Sequence, residues 1–154
     1  HTLLFETGGD ILTPENREKY KQLKIMDITQ WLKEVVLPRI KVIRPKNRIL
    51  LHPTCSCQIM GLTPVLLDIA RKCAREVILP DNWGCCGASG DRGFIFPELS
   101  DSATRDERDE IGHESFDGCY SLARTCEIAM QDHIEQPYES IVYLVDETIQ
   151  DQGT

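Results

Sequence analysis

From Ile28 the apolar side chains recur at intervals of three and four, through Trp31, Leu32, Val35 and Val36. That spacing puts them on one face of a helix that Asp27 caps and Pro38 ends. A second stripe, Val65, Leu66, Ile69, Ala70 and Cys73, predicts a helix that Thr63-Pro64 opens and that runs to about Arg75. Around these stripes the pattern changes to short unbroken aliphatic runs. Arg48–His52 and Val77–Leu79 lack polar alternation, as strands buried on both faces of a parallel sheet do. Strand, helix and strand in this order make a βαβ unit, whose crossover is right-handed. Thr13-Pro14-Glu15 opens a shorter helix earlier in the chain, after a loop. Beyond a loop over 81–96, Pro97–Ile111 predicts a polar helix; seven acids and two bases fall between Asp101 and Asp117, so it is expected to face solvent. Cys119–Leu122 predicts a third strand, Thr125 caps a helix that contains Cys126, and Ser140 caps a last helix through Ile141, Leu144 and Val145. The fold class that follows is α/β, a small doubly wound, mostly parallel sheet with helices on both faces.

Composition narrows the function classes. The 154 residues include 17 basic and 25 acidic side chains, for a formal charge of −8, with 41% apolar and 6% aromatic content. That is the profile of one acidic domain with one core. Phosphate binding requires a basic surface, so a nucleic-acid partner is not expected. The longest apolar runs, such as Ile49–Leu51, fall far short of the roughly 18 residues that span a bilayer, so no transmembrane segment is expected. Pro14–Arg48 alone has ten Lys or Arg against four acids, read here as a solvated helical face. With His1 in place of an initiator methionine, the chain is read as an excised piece of a longer polypeptide. Residues 1–26 form its N-terminal segment and residues 27–150 a cysteine-rich domain.

The cysteines carry the chemistry. Seven is an odd number for a disulfide framework, and thiols in a reducing compartment point to metal binding or redox work. On the expected layout Cys55 follows the first strand, Cys85 and Cys86 follow the second, and Cys126 opens a helix after the third. Ligands of an open α/β sheet bind outside the carboxyl ends of its strands, so these four thiols are expected to meet there. Gly84, Gly87, Gly90 and Gly93 surround the Cys85-Cys86 pair, which lets the backbone turn tightly and aim N–H groups at sulfur. Adjacent side chains point apart, which suits two irons of one cluster better than one tetrahedral ion. Cys126 at a helix start, beside Arg124, is expected to have a lowered thiol pKa.

The segments LHPTCSCQIMG, WGCCGASGDRGFIFPEL and ARTCEIAMQDH…YESIVYLVDE, in this order from about Asp27 to Glu147, resemble the C-terminal cysteine-rich CCG domain of FAD-linked D-lactate dehydrogenases. Related CCG domains occur in glycolate oxidase iron-sulfur subunits and heterodisulfide reductases. The resemblance implies a Rossmann-like half-domain that holds an iron-sulfur cluster, of the 4Fe-4S type, through Cys55, Cys85, Cys86 and Cys126. It implies FAD in a part of the full-length chain absent here, a D-2-hydroxy acid substrate such as D-lactate, and electrons leaving toward a quinone or another acceptor. The flavin-bearing domain would be the partner, the domain itself would not be catalytic alone, and the location would be cytoplasmic, at the inner face of the membrane in the full-length protein. The sequence departs from the broader CCG pattern at Ala123, where a cysteine would stand, and adds Cys57 and Cys119 as possible extra ligands.

Other residues have plainer readings. Cys73 belongs to a helical stripe and is core; His52 is a histidine hydrogen-bonded at the sheet edge, with metal coordination as its alternative; His113 and His133 are exposed. Asp91-Arg92 is read as a local ion pair, and Met60 and Trp83 as packing around the site. The glycine-rich run over 84–93 has neither the lysine of a P-loop nor the GxGxxG spacing of a dinucleotide site. The competing classes are a structural zinc site on the same thiols and a thiol–disulfide catalyst on Cys85-Cys86.

Overall fold

The computed structural model describes residues 11–149. Four parallel strands form one sheet: β1 (Lys46–Leu51), β2 (Ala74–Ile78), β3 (Gly118–Ser121) and β4 (Tyr138–Ser140), in the order β2-β1-β3-β4. The chain leaves β1 toward β2 on one side and returns to build β3 and β4 on the other. The strand order therefore reverses between β1 and β3, the place where an open sheet offers a crevice.

Helices cover both faces. On one lie α1 (Ile28–Trp31), which continues as a π turn over Leu32–Val36 and a 3₁₀ turn over Leu37–Arg39, α2 (Thr63–Cys73) and α3 (Ile141–Thr148). Their apolar stripes close on Ile49, Leu51 and Tyr120 of the sheet. On the opposite face α4 (Pro97–Ile111) and α5 (Arg124–Ile134) close on Leu50, Cys119 and Tyr138. The alternation of Ile49, Leu50 and Leu51 between the two cores is the period-2 geometry of a strand covered on both sides. Two short helices, α6 (Cys55–Ile59) and α7 (Arg92–Ile95), stand in the loops after β1 and β2, and α8 (Pro14–Lys21) precedes the domain.

Several caps match the chemistry of the sequence. Thr13 accepts from Asn16 N–H; Asp27 and Gln30 form a reciprocal capping box; Ser140 accepts from Val142 N–H. Two expected caps are displaced. Thr63 is the first residue of its helix and Leu62 occupies the cap position, because Pro64 fits the first turn wherever Thr63 stands. Thr125 lies inside α5, which starts after Ala123 without any side-chain cap. β2 is an edge strand with only Ala74 buried, so Val77 and Ile78 are half-covered rather than buried. α4 is polar but not solvent-facing all round, since Ser100, Thr104, Glu107 and Ile111 recur on a buried face. Many lysines and arginines of 14–48 have local acidic partners, among them Lys33 with Asp68, Lys46 with Glu147, and Arg48 with Glu76 and Glu114. Among the described residues no helix is long and apolar enough to cross a membrane.

Candidate functional site: a thiol rim

Three loops at the carboxyl ends of β1, β2 and β3 each deliver thiols. After β1, Thr54 caps α6 by accepting from Cys57 N–H, which sets Cys55 at the helix start with its side chain exposed. After β2 the chain crosses Trp83 and Gly84 into Cys85 and Cys86. As expected of neighbours, these two diverge: Cys85 is exposed and Cys86 is only 4% exposed. After β3, Cys126 is the third residue of α5 and 8% exposed.

The four thiols are neighbours that act on one another's protons, and two of the sulfurs meet. Cys86 and Cys126 Sγ are 3.0 Å apart. Cys55 lies close enough to Cys85 and Cys86 for both to act on its thiol. Cys126 in turn feels Cys86, Cys55 and Cys85.

Backbone N–H groups point at three of these sulfurs. Gly87 N–H donates to Cys85 Sγ at 3.4 Å, Ala88 N–H reaches Cys86, and Ser56 N–H reaches Cys55. The turn that aims them depends on glycine, though mainly for a reason other than the one expected. Gly87 adopts φ +74°, and a Cβ there would stand 2.7 Å from Leu99 O and Ser100 Cα; a Cβ at Gly93 would meet Ala88 Cα at 2.8 Å. The two glycines thus let the thiol loop lie directly on the first turn of α4. Gly84 has no such constraint.

The proton distribution reverses one expectation. Hydrogen bonding to Cys126 is the main force that pulls the Cys86 thiol down to about 6, against burial, with help from Ala88 N–H and from nearby His52. Cys126 is pushed up, by that same contact first and by burial second. The helix start does not make Cys126 the thiolate, because the adjacent Cys86 charge outweighs a partial dipole. Nor does Arg124 assist, since its exposed guanidinium pairs with Glu127 at 3.2 Å. The Cys55 thiol is raised by burial and by Cys85.

The remaining cysteines stand apart. Cys57 is buried against the α2 side, 4.0 Å from Thr63 Oγ1, and burial pushes its thiol up to about 11. Cys119 lies within β3, buried among the α4 and α5 contacts and pushed up to about 12. Cys73 is core, as the helical stripe indicates. Met60 lines a cavity of about 510 Å³ at the reversal between β1 and β3, with Asp27, Trp31, Thr54, Cys57 and Leu122 among its walls. Trp83 is half-buried at the entry to the thiol loop. Asp91 and Arg92 form no ion pair with each other among the described residues; Asp91 instead precedes α7. His113 is exposed, whereas His133 is partly covered and stands 4.0 Å from Asp101.

His52 is hydrogen-bonded as expected, but it follows an inner strand rather than the sheet edge, and its partner is a distant carboxylate. His52, 1% exposed, sets Nδ1 3.1 Å from both carboxylate oxygens of Glu107, itself 1% exposed on α4. The ionised carboxylate can only accept, so Nδ1 carries the proton of this contact. Nε2 has no hydrogen-bond partner among the described residues. His52 lies two residues beyond Leu50 and so faces the same core as Cys86 and Cys126. Fifty-five residues separate the partners, and no local pattern announces the contact.

No family model and no curated protein matches this chain. The chemistry of the site therefore rests on the donor set. Among the described residues no three His, Cys, Asp or Glu side chains are set to hold a single metal ion. A tetrahedral zinc draws its thiolates to about 2.3 Å from one point and so about 3.8 Å from each other, wider than the 3.0 Å of Cys86 and Cys126. Thiolates on different irons of a cluster stand farther apart still, so these two cysteines would have to separate to take either centre. A cluster is ligated by several thiolates spread over more than one metal atom, and N–H donors to sulfur are among the levers on its potential.

Proposed function

We propose that this domain is an electron-transfer module in which Cys55, Cys85, Cys86 and Cys126 hold an iron-sulfur cluster. The observation that supports the reading is the convergence of these four thiols, from three strand ends, under backbone N–H donors. When bound, such a cluster accepts and passes single electrons at a potential adjustable across roughly −700 to +450 mV. Within the protein, Cys86 supplies a ready thiolate, since metals bind the deprotonated form. Gly87, Ala88 and Ser56 N–H groups neutralise sulfur charge, which raises the potential. The exposed Cys55 and Cys85 put the centre at the surface, where an electron can arrive and leave.

By resemblance, the donor is a flavin elsewhere in the full-length chain, reduced by a D-2-hydroxy acid such as D-lactate, and the acceptor a quinone or another carrier. A cytoplasmic site at the inner face of a membrane belongs to the same proposal. Cys57 and Cys119, buried and raised, are not assigned as ligands.

Substitution tests the assignment. Cys85→Ser and Cys55→Ser expose little new surface and are expected to keep the far-ultraviolet circular dichroism of the fold while losing bound iron after anaerobic reconstitution. Iron retained in both variants would refute the ligand set, and a colourless protein with one zinc would refute the electron-transfer role.

A further inference from the structure

We propose that Cys86 and Cys126 form a redox latch: when the rim holds no metal centre, the two thiols oxidise to an intramolecular disulfide that closes the site until it is reduced. The sulfurs stand 3.0 Å apart although their residues are forty positions apart in sequence. An S–S bond of about 2.05 Å needs them to close by about 1 Å. Cys55 and Cys85, both exposed and close enough to interact, are the competing pair. Cys85 and Cys86 are adjacent, and a bond between them strains an eight-membered ring. Cys57 and Cys73 lie in the other core, and Cys119 sits within β3, in the same core as Cys86 and Cys126.

The oxidant is a peroxide, hydrogen peroxide being hardly larger than water, and it enters beside the exposed Cys55 and Cys85. Cys86 sulfur attacks one oxygen, the O–O bond breaks, and a sulfenic acid forms as one water leaves. Cys126 sulfur then attacks Cys86 sulfur, the S–O bond breaks, and a second water leaves. Two thiols lose two electrons, the peroxide gains two, and both thiol protons end in water. Cys86 follows the exposed Cys85 on the rim loop and is the attacking member; Cys126, on α5, is the resolving one.

The latch rests on sulfur geometry, whereas its role as a guard of the cluster rests on the electron-transfer reading. Reduced, metal-free protein treated with peroxide and mapped without reduction tests it. Tryptic cleavage leaves Cys85 and Cys86 on residues 76–92 and Cys126 on 125–154, and fragment ions between 85 and 86 assign the bond. The expected result is a Cys86–Cys126 cross-link in most chains, a mass loss of about 2 Da, reversed by a dithiol. In Cys126→Ser the same treatment is expected to leave a Cys86 sulfenic acid that dimedone captures. Cys86 and Cys126 recovered as free thiols, as separate higher oxides, or bonded to other cysteines would overturn the latch. Iron and sulfide uptake is measured on the same preparation. A chain that cross-links and never binds iron defeats the electron-transfer reading alone, while one that binds iron and never cross-links defeats the latch alone.

Discussion

Replacing Gly87 by alanine puts a methyl group where the protein has backbone. The new Cβ would lie 2.7 Å from Leu99 O, 2.7 Å from Ser100 Cα and 2.9 Å from Leu99 C, all main-chain atoms that cannot rotate aside. The left-handed φ of +74° adds its own penalty, about 1–2 kcal/mol for a residue with a Cβ. Relieving the overlap by moving the loop or α4 costs about 1–3 kcal/mol more. Gly90 is the internal control: its φ is +80°, yet nothing lies within 4 Å of a Cβ there. Gly90→Ala therefore carries the conformational penalty alone. Thermal unfolding of the two variants should separate by about 2 kcal/mol, or about 4–8 °C at this chain length. Because the Gly87 loop carries Cys85 and Cys86 and donates to Cys85, Gly87→Ala should also lose iron uptake while Gly90→Ala keeps most of it. Equal midpoints for the two variants would refute the argument that the thiol loop is pressed onto α4.

Further outcomes follow from the buried groups. Glu107→Ala strips His52 of its buried partner and is expected to destabilise the fold by about 3–5 kcal/mol in urea unfolding, with Glu107→Gln costing far less because its amide oxygen still accepts from Nδ1. With its folded pKa held below the unfolded value, Cys86 contributes stability that is complete above the unfolded thiol pKa and fades as pH falls through about 6. Thiolate absorbance should accordingly show one group per chain titrating near pH 6, and Cys126→Ala should move that midpoint upward; no titration below pH 8 would contradict the lowered Cys86 thiol. Cys73→Ser buries a hydroxyl in the α2 core and should cost about 1–3 kcal/mol without changing iron uptake.

The strand–helix–strand frame was legible because its signals are local. The stripe of Leu66, Ile69, Ala70 and Cys73 and the run Ile49–Leu51 declare their burial by spacing alone. Pro97 and Gly112 bracket α4 where the sequence indicates. From strand ends alone the four cysteines could be placed on one rim, since topology dictates where consecutive parallel strands finish. What escaped depends on contacts across the fold. β4 is three residues long with only Tyr138 buried, too short for any period to show. His52 and Glu107 meet through the docking of α4 on the sheet, which also buries a helix face that looked solvated. The reversed polarity of Cys86 and Cys126 arises because a full charge at 3.0 Å prevails over a helix dipole, a comparison open only once the distance is known.

Iron and acid-labile sulfide, counted together per chain after anaerobic reconstitution, test the central claim most directly. The account requires both, in comparable amounts and with visible charge-transfer absorption, and requires both to vanish when the rim cysteines are replaced. A folded protein that binds neither, or that takes one zinc and no sulfide on the same four thiols, would contradict it.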